Sequence, residues 1–153
     1  MTIKEYLAAL AEKINGDEWL VARHCTAFSE QNTTDAAVMQ QLRSAGGGVS
    51  IIVSVGAKER AGGIATEGLA VRITELNIHV SEIPPLNREV AGHVTAEDAA
   101  THLIFMLDSP SFLWKTDIPD FDPQTKVLSL IQTYSCSIWL TDPAASAKKG
   151  GTP

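Results

Sequence analysis

Two cysteines in 153 residues, 6% aromatics and no surplus of positive charge set the first limits on this chain. Cys25 and Cys136 lie far apart and form no C-x-x-C. They read as free thiols of a reducing compartment, with a single bridge between them as the open alternative. A chain of this length needs no such staple, because a domain of its size buries roughly 68–70% of its unfolded surface. The net charge of −6 argues against a general binder of nucleic acid or anionic membranes, which carries basic residues to offset phosphates. No apolar run reaches the ~18 residues of a membrane span. The start, Met1-Thr2-Ile3-Lys4-Glu5, lacks the basic and apolar regions of a signal peptide. The expectation is a soluble, intracellular protein.

Catalytic signatures are missing as well. The glycines of 45–49 and 56–63 match neither G-x-x-x-x-G-K-[ST] nor G-x-G-x-x-G, so they read as flexible loops rather than a phosphate cradle. There is no G-x-S-x-G, and neither cysteine stands in a protease signature. His24, His79, His93 and His102 show no metal-ligand spacing with each other or with the thiols. His24 and Cys25, adjacent in an expected strand, point to opposite faces, and Cys136 shares the core parity of its own strand. Asp117, Asp120 and Asp122 form a tight acidic cluster, but D-x-x-D-x-D without a later glutamate is not a calcium loop, and Pro119 and Pro123 suit a solvated turn. The residues themselves thus call for no catalytic group, no cofactor and no metal.

What is present fits one α+β domain over residues 1–141, with a flexible tail over 142–153 rich in Ala, Ser, Gly, Lys and Pro. Ile3, Tyr6, Leu7, Leu10 and Ile14 recur at helical spacing, behind a capping box of Thr2 and Glu5 and before a left-handed stop at Asn15-Gly16. Residues 19–28 are rich in β-formers and read as a strand. Thr33, Thr34 and Asp35 cap a short helix carrying Val38, Met39 and Leu42, which ends before Gly46-Gly47-Gly48. Val49 to Val55 is a β-branched run suited to a well-covered strand, and a polar loop is expected over about 56–68. In the strand from Leu69 to Ile83 the apolar parity flips from 69, 71, 73 to 76, 78, 80, which implies a β-bulge near Thr74-Glu75. Pro84-Pro85 ends it. Thr95 caps a helix with Ala96, Ala99, Ala100, Leu103 and Leu107 on one face. Phe112 to Thr125 reads as a loop, and Val127 to Leu140 as a long last strand whose core parity is broken by Gln132. Together these give a largely antiparallel sheet with long strands and helices packed on one face. Fourteen residues of strand extend roughly 45 Å, whereas a compact domain of this size has a radius of gyration near ~15 Å. Such strands must bend, bulge or project, and projecting edges favour pairing with another copy.

This plan resembles the tail-terminator, or tail-completion, proteins of long-tailed phages and prophages. The resemblance is carried by Ile3–Ile14, by ITELNIHVSEIPPLNRE (Ile73 to Glu89), by TAEDAATHLIFML (Thr95 to Leu107) and by VLSLIQTYSCSIWL (Val127 to Leu140). It implies a virion protein, assembled in the bacterial host cytoplasm, that forms a homo-oligomeric ring, typically a hexamer, at the head-proximal end of the tail tube. The implied partners are the tail tube and the neck or head-completion proteins, with no membrane and no catalysis. DNA would pass the lumen unheld, since an acidic lining repels phosphates. Under this reading the expected subunit interface includes Lys58, Arg60, Glu82, Asn87 and Arg88, together with the 56–68 loop and the C-terminal tail. Two alternatives stand beside it: a head–tail connector or neck protein of similar fold, and a small metal- or ligand-binding enzyme using the Asp117–Asp122 loop.

Overall fold

The computed structural model describes residues 1–29, 35–61 and 70–144. Thr33 and Thr34, the glycines at 62, 63 and 68, and the tail beyond 144 lie outside these residues. The first helix, α1 (Ile3–Asn15), has the expected capping box: Thr2 accepts from the Glu5 N–H while the Glu5 carboxylate accepts from the Thr2 N–H. Leu7, Leu10, Ala11 and Ile14 form its buried stripe. Its stop differs from expectation. Gly16 is right-handed (φ −83°) and caps through its N–H to the Glu12 and Lys13 carbonyls, so no left-handed residue is needed there.

The stretch 19–28 divides in two. The Asp17 carboxylate accepts from the Leu20 N–H and starts a one-turn helix, α2 (Glu18–Ala22). Its cap outweighs the β-propensity of Trp19, Leu20 and Val21. The chain reverses at His24, which is left-handed (φ 61°), and only then enters β1 (Cys25–Ser29). After α3 (Asp35–Ser44), Gly46, Gly47 and Gly48 all take positive φ. At Gly48 a Cβ would also run into the His24 carbonyl, which accepts from the Val49 N–H.

The two central strands are β2 (Val49–Ala61) and β3 (Ala70–Glu82), an antiparallel pair. Residues 56–61, expected in a loop, therefore extend the ladder. Glu59 pairs across to Arg72, and their side chains form an ion pair on the same surface. The polar composition misleads because this end of the hairpin has little core to bury. The bulge falls where the parity flips: against the last strand the register skips Thr74, and β2 shifts on both sides of Ala57. Pro84-Pro85 closes β3 and then opens a short helix, α4 (Pro84–Asn87), where a missing N–H costs nothing. The helix α5 (Ala96–Leu107) buries Ala96, Ala99, Ala100, Leu103 and Leu107, with Thr95 capping the Asp98 N–H.

The segment expected as a loop from Phe112 is instead β4 (Phe112–Phe121), paired with β5 (Leu128–Leu140). Its Pro119 and aspartates resemble turn chemistry, but an edge strand tolerates both. The sheet order is β1-β2-β3-β5-β4, mostly antiparallel, with β1 parallel to β2. The α+β class follows. One face of the sheet carries the main core, where Ile51, Val53, Ile73, Leu76, Ile78, Val80 and Tyr134 meet the stripes of α1 and α5. The α3 helix adds a second cluster, Val38 and Leu42 on Ile52, against the opposite face, since Ile52 alternates with Ile51 and Val53. The break in β5 parity, Gln132, is fully buried: its Nε2 donates to the Ala100 carbonyl at 2.8 Å and its Oε1 accepts from the Tyr134 hydroxyl at 3.2 Å.

Candidate functional site

Several titratable groups are engaged in structure. Burial pushes the Cys25 thiol up to about 12 and the Cys136 thiol up to about 11, so both are protonated at neutral pH. Their Sγ atoms donate to the Arg23 and Ile73 carbonyls. His102 and Asp17 form a pair that sequence spacing does not announce, being 85 positions apart, with Nε2 to Oδ2 at 2.8 Å. Trp19 stacks on the His102 ring at 4.4 Å, and the Arg23 guanidinium lies 4.3 Å over Trp19. The same Asp17 oxygen caps α2, so the pair fastens α5 to α2. His93 Nδ1 lies 3.0 Å from the Val90 carbonyl, and His79 sits on the sheet face away from α1 and α5, in register with Ile52 and Ile131. Among the described residues no group of three or more His, Cys, Asp or Glu is arranged to hold a metal.

The acidic cluster belongs to β4 and the turn after it. Asp117 accepts from the Trp114 indole N–H at 2.7 Å, and Asp108 accepts from the Trp114 backbone N–H at 2.9 Å. Asp122 closes the turn by accepting from the Gln124 N–H at 2.9 Å. That bond, with help from Thr125, holds the Asp122 carboxyl below its ordinary range. Asp120 is exposed. These carboxylates organise an edge and do not converge on a point.

Of the five residues expected at a subunit interface, two face inward. Glu82 and Asn87 are only 4% and 2% exposed. The Glu82 carboxylate accepts from the Asn87 side-chain amide at 2.7 Å and from the Ala96 N–H at 2.9 Å, which caps the start of α5. Asn87 also donates to the Val94 carbonyl. The interface expectation is corrected accordingly: a buried carboxylate with two donors is internal scaffolding, not docking surface. Lys58 and Arg60 are exposed on the extended end of β2, and Arg88 is exposed after α4.

The two sheet edges differ in a way the sequence does not reveal. At β1 the Asn15 side chain acts as a substitute strand: Nδ2 donates to the Ala27 carbonyl at 2.9 Å and Oδ1 accepts from the Ala27 N–H at 2.8 Å. Those two bonds cover the middle of that edge. At β4, in contrast, Leu113, Trp114, Ile118 and Phe121 are all exposed, the last two at 57% and 51%. Pairing places Trp114 and Phe121 on the helix-bearing face and Leu113 and Ile118 on the other, so the apolar side chains wrap the edge. The ladder groups are less available than the side chains. Pro119 has no N–H, and the Trp114 N–H is taken by Asp108.

Two open grooves flank the free end of β5. One, of about 650 Å³, runs between α1 and Ser137–Trp139. The other, of about 630 Å³, is lined by Ile3, Val71, Leu140 and Pro143, with Lys4 and Lys58 and a single acid, Asp142.

No protein-family model matches the chain, and no curated protein matches it. Among the described residues no helix is long and apolar enough to cross a membrane.

Proposed function

We propose that this chain is a structural protein that assembles with copies of itself into a ring at the head-proximal end of a phage-type tail tube, and that it performs no catalysis. The observation that carries the proposal is the contrast between the edges of the sheet. One is covered at its middle by Asn15, while the other presents Leu113, Trp114, Ile118 and Phe121 to solvent. Apolar side chains concentrated on one edge strand mark a contact surface, and aromatic residues are the usual anchors of such contacts. The engagement of both thiols, of His102 and of Asp117 and Asp122 in internal bonds supports an assembly role over chemistry. The net charge of −6 suits a ring through which DNA slides without being held. Light scattering on the purified chain, followed by electron microscopy of the same sample, tests the reading. Closed rings of about six copies are expected, and a monomer at tens of micromolar would overturn it.

A further inference from the structure

The exposed β4 edge and the groove bearing Lys4 and Lys58 are complementary in apolar character and charge, yet they lie at opposite ends of β5. Phe121 pairs with Leu128 at the start of β5, whereas Leu140 at its other end lines the groove. Twelve residues of strand separate those two positions by roughly 40 Å. One copy cannot bring its own edge to its own groove. The edge offers Ile118 and the exposed Asp120 on one face of the strand and Phe121 on the other. The groove is lined by the apolar side chains of Ile3, Val71, Leu140 and Pro143 together with two lysines, Lys4 and Lys58, and one acid, Asp142. Arg60 shares the Lys58 face, because Lys58 and Arg60 pair with Ile73 and Val71.

We propose that the outer half of β4 in one copy docks into the Lys4–Lys58 groove of the next, with Ile118 on the apolar lining, Asp120 on the same face against Lys58, and Phe121 packing at the rim from the other face of the strand. The inference rests on the self-assembly reading above and names the two surfaces it uses. Pro119 and the occupied Trp114 N–H disfavour strand addition along this edge, so the contact is made by side chains rather than by a shared ladder. A contact between two different patches of identical chains is heterologous. It propagates head to tail and closes into a ring when the rotation permits, whereas pairing of β4 with β4 stops at a dimer.

Charge reversal on the full chain separates these possibilities. Asp120→Lys and Lys58→Glu are each expected to weaken association about tenfold or more, read as the concentration for half-assembly in light scattering. The double variant Asp120→Lys with Lys58→Glu restores the attraction with inverted sign and recovers most of the loss. Glu12→Lys, an exposed site on α1 outside both surfaces, leaves association unchanged. Circular dichroism and thermal midpoints equal to the unaltered chain show that the variants fold. If the unaltered chain assembles but Lys58→Glu has no effect, or the double variant is no better than the singles, the docking is wrong while self-assembly stands. Association lost in Asp120→Lys but untouched in Lys58→Glu points to β4 pairing with β4 and also overturns it. A chain that stays monomeric at every concentration removes the self-assembly reading itself.

Discussion

Glu82 shows how much one residue does in this protein. Its carboxylate sits where β3 ends and takes the first N–H of α5 and the amide of Asn87, so it fixes the angle at which the helix meets the sheet. Glu82→Ala leaves the Ala96 N–H buried without its acceptor, at about 1–3 kcal/mol, and takes from the Asn87 amide one of its two bonds while that to Val94 remains. A loss of at least about 2 kcal/mol in urea unfolding is expected, with Glu82→Gln intermediate because its amide oxygen still accepts. Cys25 makes a second prediction at this scale. Burial, the main cause, raises its folded pKa to about 12, so the folded state holds the thiol proton more tightly than the unfolded chain does. Its contribution is intact below the unfolded thiol pKa near ~9 and is lost as pH rises toward the folded value. Stability should therefore fall above pH ~9, and Cys25→Ala should flatten that decline in thermal midpoints taken across alkaline pH. Tyr6 and Tyr134, also raised by burial, add to the slope that remains.

At the scale of elements, the edges carry opposite predictions. Asn15→Ala removes both bonds to Ala27 and uncovers the middle of the β1 edge, so it should lower stability by about 1–2 kcal/mol and promote irregular aggregation on concentration. Replacing Ile118 and Phe121 with Ser and Thr should leave the thermal midpoint within a few degrees, since both side chains are exposed, while reducing association. The same elements show what the sequence makes legible. The α1 and α5 stripes, their N-terminal caps and the Thr74 bulge follow from residue types and spacing alone, because periodicity reports directly which face is buried. The strand character of β4 and of residues 56–61 does not. Those segments bury little, so their side chains carry no alternation, and only the neighbouring strand makes them strands. The split of residues 19–28 into α2 and β1 is decided by Asp17, a cap whose effect outweighs the propensities after it.

At the scale of the molecule, the long strands are real, and the chain accommodates them by bulging at Gly56 and Thr74 and by letting the β2–β3 hairpin extend past its core. The candidate site was less legible than the fold. The acidic residues near 117–122 stand out in sequence as a cluster, but only the sheet order reveals that they lie on an unsealed edge beside exposed Trp114, Ile118 and Phe121. Lys58 and Arg60 remain on the surface, whereas Glu82 and Asn87, next to a Pro-Pro turn that reads as exposed, are drawn inside by hydrogen bonds to α5 and the loop before it. The central claim is that the apolar edge exists to be covered by another copy of the chain. Light scattering of the full chain across a hundredfold range of concentration tests it most directly. The account predicts a closed species of about six chains that the paired Ile118 and Phe121 replacements convert to monomer, and a single-chain mass at every concentration would contradict it.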